Sequence, residues 1–376
     1  MKVSSSTNIN FCGYDAIPLK AFYMQGLVKQ GEANIFREMK GIAQREGLDI
    51  FLNQDCITYK TEINNGSKLS KHLSIWGQDN KAFVLNKSGK TILWNAKEPP
   101  MESQNSGAFE DYNVDIKKYM PRGGNYYIGY YENGDKWLLV NGMSIADSKG
   151  FEKFGDTPTK ELLYDLFDVR PENLHILTPD FSSDMDELVR PMGYPYILVN
   201  DYNLSLKNLE MMKDKFPNCY ETYSTIKRYL QKFILEEKTT KFVKSADEIC
   251  NILTEYGFKP IRIGGRYCDD INYMNALAFK NSKNGISYIT NSTRKSYPEL
   301  GYLEKLFELD LKEKFPNVTD TYFVSGGKRT VYMRMCESVL SHGLRLRNVI
   351  MDILANRLGG IHCMTAEVPD FDKIYR

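Results

Sequence analysis

The chain has 376 residues, 42% of them apolar and 26% charged, which is ample material for a sizeable core. Lys and Arg number 49 against 48 Asp and Glu, and a net charge of +1 excludes a strongly basic surface built for nucleic acid. The opening residues, "MKVSSSTNINFCGYDA", lack the apolar core of a signal peptide, and no apolar run is long enough to span a membrane. The expectation is a cytoplasmic protein with neither nucleic acid nor membrane as partner; a homo-oligomer is left open.

In chain order, residues 34–53 read as a helix running through Gly47 into the apolar strand "DIFL". Residues 81–95 form a hairpin turned at Ser88-Gly89, and 125–145 a second one turned at Asn133-Gly134. "KELLYDLF" and "NLHILTP" repeat the step from helix to strand, and "ELVRPMGYPYILVND" leads into a further strand. "SLKNLEMMKDKF" and "YSTIKRYLQKFILEE" read as solvated helices, an insertion or outer layer near residues 205–245. "KPIRI" and "MNALAFKNSKNGISYIT" return to strands, and a long helix is expected from about Val331 to Asn356. The repetition of hairpin, helix and strand predicts an α+β fold of similar modules, a single domain over residues 1–376.

Several motifs carry little. "DYNVD" opens like a calcium loop, but Ile116 stands where the turn needs Gly. "SGGKRT" lacks the upstream Gly and the following Ser or Thr of a phosphate loop. The seven cysteines include no CxxC pair and the four histidines are widely spaced, so no disulfide framework, metal or cofactor is expected. The cysteine in "LGGIHCMTAEVP" stands apart. Cys363 follows Gly359-Gly360 and adjoins His362, which suits a nucleophile approached closely by backbone and polar groups. A buried structural cysteine reads equally well from the local sequence.

Three other stretches bear on that choice. "SIWGQDNKAFVLNKSGK" places Asp79 before a hairpin, "PRGGNYYIGYY" places Asn125 after Gly123-Gly124, and "SSDMDELVRPMGYPYILVN" places Asp184 and Asp186 before a strand. Together with "GGIHCMT", their order resembles that of the guanidine-modifying, or pentein, superfamily, nearest its agmatine and peptidyl-arginine deiminase branch. The resemblance implies a five-bladed α/β propeller of ββαβ modules around a substrate channel. It also implies that Cys363 attacks a guanidinium carbon and that Asp79 and Asp186 clamp the guanidinium nitrogens. Asn125 and His362 would line the substrate site. The superfamily normally has His-x-Asp in the middle motif; here Asp184 stands at the catalytic His position, and Gln78 replaces an Arg.

The chemistry is coherent with that pattern. A planar cation rich in donors pairs naturally with carboxylates, and its charge favours a nearby thiolate. Departing ammonia needs a proton and incoming water needs a base, which a histidine supplies near neutral pH. Asp184 supplies them only with a raised pKa; His362, His175 and His72 are the other imidazoles to consider. The expected activity is a deiminase converting a small-molecule or peptidyl guanidino group to a ureido group plus ammonia. Its alternatives are an amidinotransferase and a guanidinium-binding protein that lacks turnover.

Overall fold

The computed structural model describes residues 16–25, 30–53, 81–95, 109–117, 123–145, 159–177, 184–215, 220–239, 245–268, 271–292, 301–325 and 361–374. The fold is mixed α+β, built of small sheets and flanking helices. Five of the sheets share one pattern: an antiparallel pair whose second strand also pairs in parallel with a third.

The first such sheet joins both ends of the described chain. β1 (Leu19–Gln25) lies between β2 (Asp49–Asn53), reached through helix α1 (Gln30–Glu46), and the C-terminal β17 (Thr365–Pro369). β3 (Lys81–Asn86), β4 (Gly89–Asn95) and β5 (Asn113–Lys117) make the second. The third has β6 (Tyr126–Tyr130) and β7 (Lys136–Asn141), then α2 (Lys160–Phe167) and β8 (Leu174–Leu177).

The fourth comprises β9 (Val189–Pro191), β10 (Tyr196–Asn200) and β11 (Lys259–Ile263). Between β10 and β11 come α3 (Tyr202–Met211), α4 (Tyr220–Thr239) and α5 (Ala246–Glu255). A short ribbon, β12 (Arg266–Cys268) with β13 (Ile271–Asn272), precedes the fifth sheet. That sheet has β14 (Leu277–Lys280), β15 (Ile286–Ser292), helix α6 (Gly301–Lys314) and β16 (Val318–Ser325). Two short helices, α7 (Ile361–Met364) and α8 (Phe371–Ile374), bracket β17.

Local sequence accounts for these elements. Gly89 and Gly134 take positive φ in the two hairpin turns, where a Cβ would be strained. Thr159 and Asp201 cap α2 and α3 by accepting backbone N–H bonds, and Ser245 with Glu248 closes a capping box on α5. In β7 and β10, "WLLV" and "ILV" are wholly buried, as a middle strand covered on both faces requires. α1, α5 and α6 each pack on their own sheet's parallel strand and on the sheet before: α1 touches β16, α5 touches β8 and α6 touches β11.

The two expected hairpins are present, as are the two helices near residues 205–245, which here are α3 and α4. The helix expected over Val331 to Asn356 lies outside the described residues. Helices α5 and α6 and the pairing of β1 with β17 were not among the expected elements. Among the described residues, no helix is long and apolar enough to cross a membrane.

Candidate active site

The segments that lead into the first strand of successive sheets meet at one place. The turn Gly123–Asn125 precedes β6, Met185–Glu187 precedes β9, the loop at Asn272 to Asn275 precedes β14, and α7 precedes β17. The Gly123–Asn125 turn packs directly on both the Met185–Glu187 turn and α7.

Asp186 is fully buried at the centre. Its Oδ2 lies 2.8 Å from His362 Nδ1 and accepts a 2.7 Å bond from Asn275 Nδ2. A neutral imidazole protonated on Nδ1 donates in the first of these. His362 is also fully enclosed, and burial pushes its pKa down to about 3; the Arg190 charge adds to the shift and Glu367 opposes it. It is therefore neutral at physiological pH, with its one ring proton committed to Asp186.

Gly124 explains the Gly-Gly pair. A Cβ on it would lie 3.0 Å from Asp186 Oδ1 and 3.2 Å from its Cγ, tight contacts that would push the carboxylate back by a few tenths of an ångström and that glycine avoids. Asn125 ties the two turns together. Its Oδ1 accepts from the Met185 N–H at 3.2 Å and from Asn141 Nδ2 at 2.9 Å, while its Nδ2 donates to Asp184 Oδ1 at 2.7 Å. Asp184 itself is exposed, one residue outside the turn that encloses Asp186.

Beneath this layer, Arg190 on β9 and Glu367 on β17 form a buried ion pair of 3.0 Å. The guanidinium stacks 5.3 Å above the Tyr127 ring, which in turn packs against His362 at 5.7 Å between centroids. The strand that follows Asp186 is thus tied to the strand that follows Cys363.

Of the residues singled out from sequence, Asp184, Asp186, Asn125 and His362 are brought together, and Cys363 lies on α7 beside His362. Asp79 and His72 lie outside the described residues. His175 sits elsewhere, bonded to Tyr131 at 2.7 Å and packed on Tyr256 and Phe258; burial lowers its pKa to about 4. Sequence reasoning missed Asn275, Asn291, Arg190 and Glu367. One signal was available: Asp79, Asn275 and Cys363 each stand two residues before the first strand of a sheet.

Two solved structures are similar to this chain over nearly its whole length. C. jejuni agmatine deiminase is 12% identical with a TM-score of 0.49, covering 95% of this chain and 96% of that one. The N-terminal domain of ArgZ, covalently bound to a reaction intermediate, is 10% identical with a TM-score of 0.39, covering 93% and 97%. No sequence-family model matches the chain, and no curated protein matches it in sequence.

Proposed function

We propose that this chain is a guanidino-group deiminase that works through a covalent intermediate on Cys363. The carrying observation is the convergence of segments around Asp186: a buried carboxylate bonded to His362, next to Cys363, under a glycine turn shaped to admit it. The order of motifs along the sequence supports the same reading. In the proposed architecture the five sheets of like topology are the blades of a propeller. The described segments before each first strand then face a common channel.

In this reading the Cys363 thiolate attacks the guanidinium carbon and forms a C–S bond. One C–N bond breaks, and its nitrogen leaves as ammonia after taking a proton. Water then adds to the same carbon, the C–S bond breaks, and a ureido group is released. Asp79 and Asp186 hold the cation. Asp186 is enclosed, so its contact with substrate requires the Gly123–Asn125 turn or α7 to draw back. In this reading Asp184, exposed beside that turn, handles the ammonia and water protons. The substrate is a small-molecule or peptidyl guanidino compound, and no cofactor takes part.

A second reading rests on Asp184 itself. Without an imidazole at this position, the chain binds or traps a guanidinium with little turnover, or passes the amidino group to an amine. Incubation with arginine, agmatine and an arginine peptide, with and without glycine as acceptor, followed by mass spectrometry, separates these outcomes. Ureido product and ammonia, absent in Cys363→Ala, support the deiminase. A new amidino-acceptor product supports transfer, and adduct on Cys363 without release supports trapping. No product and no adduct would overturn the reading.

A further inference from the structure

We propose that Asn275 is a positioning residue that holds the clamp carboxylate and the backbone carrying the nucleophile in one register; the inference rests on the function proposed above. Asn275 is buried, and its two carboxamide atoms face opposite partners. Nδ2 donates to Asp186 Oδ2 at 2.7 Å, while Oδ1 accepts the backbone N–H of His362 at 3.1 Å, one residue before Cys363. A single planar amide therefore sets the distance between the Asp186 carboxylate and the first turn of α7.

Its own placement is enforced. Asn272 Oδ1 accepts the N–H groups of Met274 and Asn275, making the tight loop that presents the side chain. Asn291, near the end of β15, donates from Nδ2 to the carbonyls of Asn272 and Asn275. Its Oδ1 accepts the Ile361 N–H at 2.9 Å. Two carboxamides, one from the loop before β14 and one from β15, thus take consecutive N–H groups of α7.

The residue type matters. Leucine offers neither bond, and aspartate keeps the acceptor but sets a second carboxylate against Asp186. Two carboxylates at that separation hold one proton between them over a range of pH. While that proton is bound, an Asp at this position donates to Asp186 as the amide did. Among the described side chains, the titratable and charged groups around this point include Asp184 and Asp186 before β9, Tyr127 on β6, Arg190 on β9, His362 on α7, and Glu367 on β17.

The test compares wild type, Asn275→Ala and Asn275→Asp by steady-state turnover of the best guanidino substrate across pH, and by the rate of Cys363 alkylation with iodoacetamide. Circular dichroism establishes that each variant is folded. Asn275→Ala should lose about 10²-fold in kcat at every pH, the scale of a misplacement of about 1 Å. Asn275→Asp should approach wild type at the acid end and fall as the shared proton is lost, a limb that wild type lacks. Its alkylation profile should move to higher pH, because the added negative charge opposes the thiolate. If Asn275→Ala does not fold, the two Asn275→Asp profiles carry the test. Wild-type kcat, KM and pH profiles in both variants would overturn the positioning role and leave the deiminase intact. If wild type shows no guanidine chemistry yet Asn275→Asp shifts the alkylation profile, the proposed function falls with its positioning role, and only the juxtaposition of Asn275 with Cys363 stands. An unshifted alkylation profile in that case overturns both.

Discussion

Removing one partner of the Arg190–Glu367 pair should be far more damaging than removing both. Arg190 is wholly enclosed and Glu367 is 8% exposed, so the two charges meet away from bulk water at 3.0 Å. Glu367→Gln leaves the guanidinium buried beside a neutral amide, and breaking a pair in such a place costs about 3–5 kcal/mol. That is a large fraction of the ~5–15 kcal/mol that holds a domain folded. Arg190→Met leaves the opposite charge stranded and should cost a similar amount. The double variant Arg190→Met/Glu367→Gln removes both charges of the pair and strands neither, so it should recover most of the loss and come within about 1–2 kcal/mol of wild type. Urea unfolding followed by circular dichroism reads all four corners of this cycle. A cost under about 1 kcal/mol for Glu367→Gln, or a double variant as unstable as the two losses added, would refute the reasoning.

The folded-state pKa values of both His362 and His175 are depressed, so the unfolded chain binds more protons as pH falls. Their stabilisation is complete above about pH 6.5 and is lost towards about 4 for His175 and about 3 for His362; His175 alone accounts for ~3 kcal/mol. His175→Gln should flatten the fall in stability between pH 6.5 and 4 measured by urea titration, and an unchanged slope would contradict it. Gly124→Ala should lower stability by about 1–3 kcal/mol and disturb the site, because the added methyl meets a carboxylate already held by two partners; an unchanged melting temperature argues against this packing. Asp184→His should raise ureido product by about 10²–10⁴-fold if it restores an acid–base group. No change in any product would place Asp184 outside the chemistry.

The sequence made parts of this structure legible because they are encoded locally. The hairpins of β3–β4 and β6–β7 follow from Gly89 and Gly134 between alternating or apolar runs. α5 was equally accessible, since Ser245 and Glu248 form a capping box, and α6 places Leu303, Phe307 and Leu311 on one face. Asn275 was not legible in the same way. An Asn in a loop ordinarily serves the turn, and its bonds here reach Asp186 and His362, far away in sequence. The Arg190–Glu367 pair is also invisible to local patterning, for each residue alone reads as a surface charge. The sequence read Asp186 as a carboxylate beside the reaction; its enclosure under Gly124 is a property of the assembled turns only.

The pairing of β1 with β17 fixes when this site comes into being. A ribosome releases β1 early, and that strand keeps an open edge until the far end of the described chain arrives to occupy it. The segment carrying Cys363 enters just ahead of the closing strand, so the candidate thiol reaches its place in the same event that seals the sheet. Partly made chains therefore hold Asp186 and Asn275 without Cys363, and the candidate site is assembled only with closure. The same seam has a cost: joining such distant segments is slow, and an unsealed β1 edge is an invitation to pair with a neighbouring molecule.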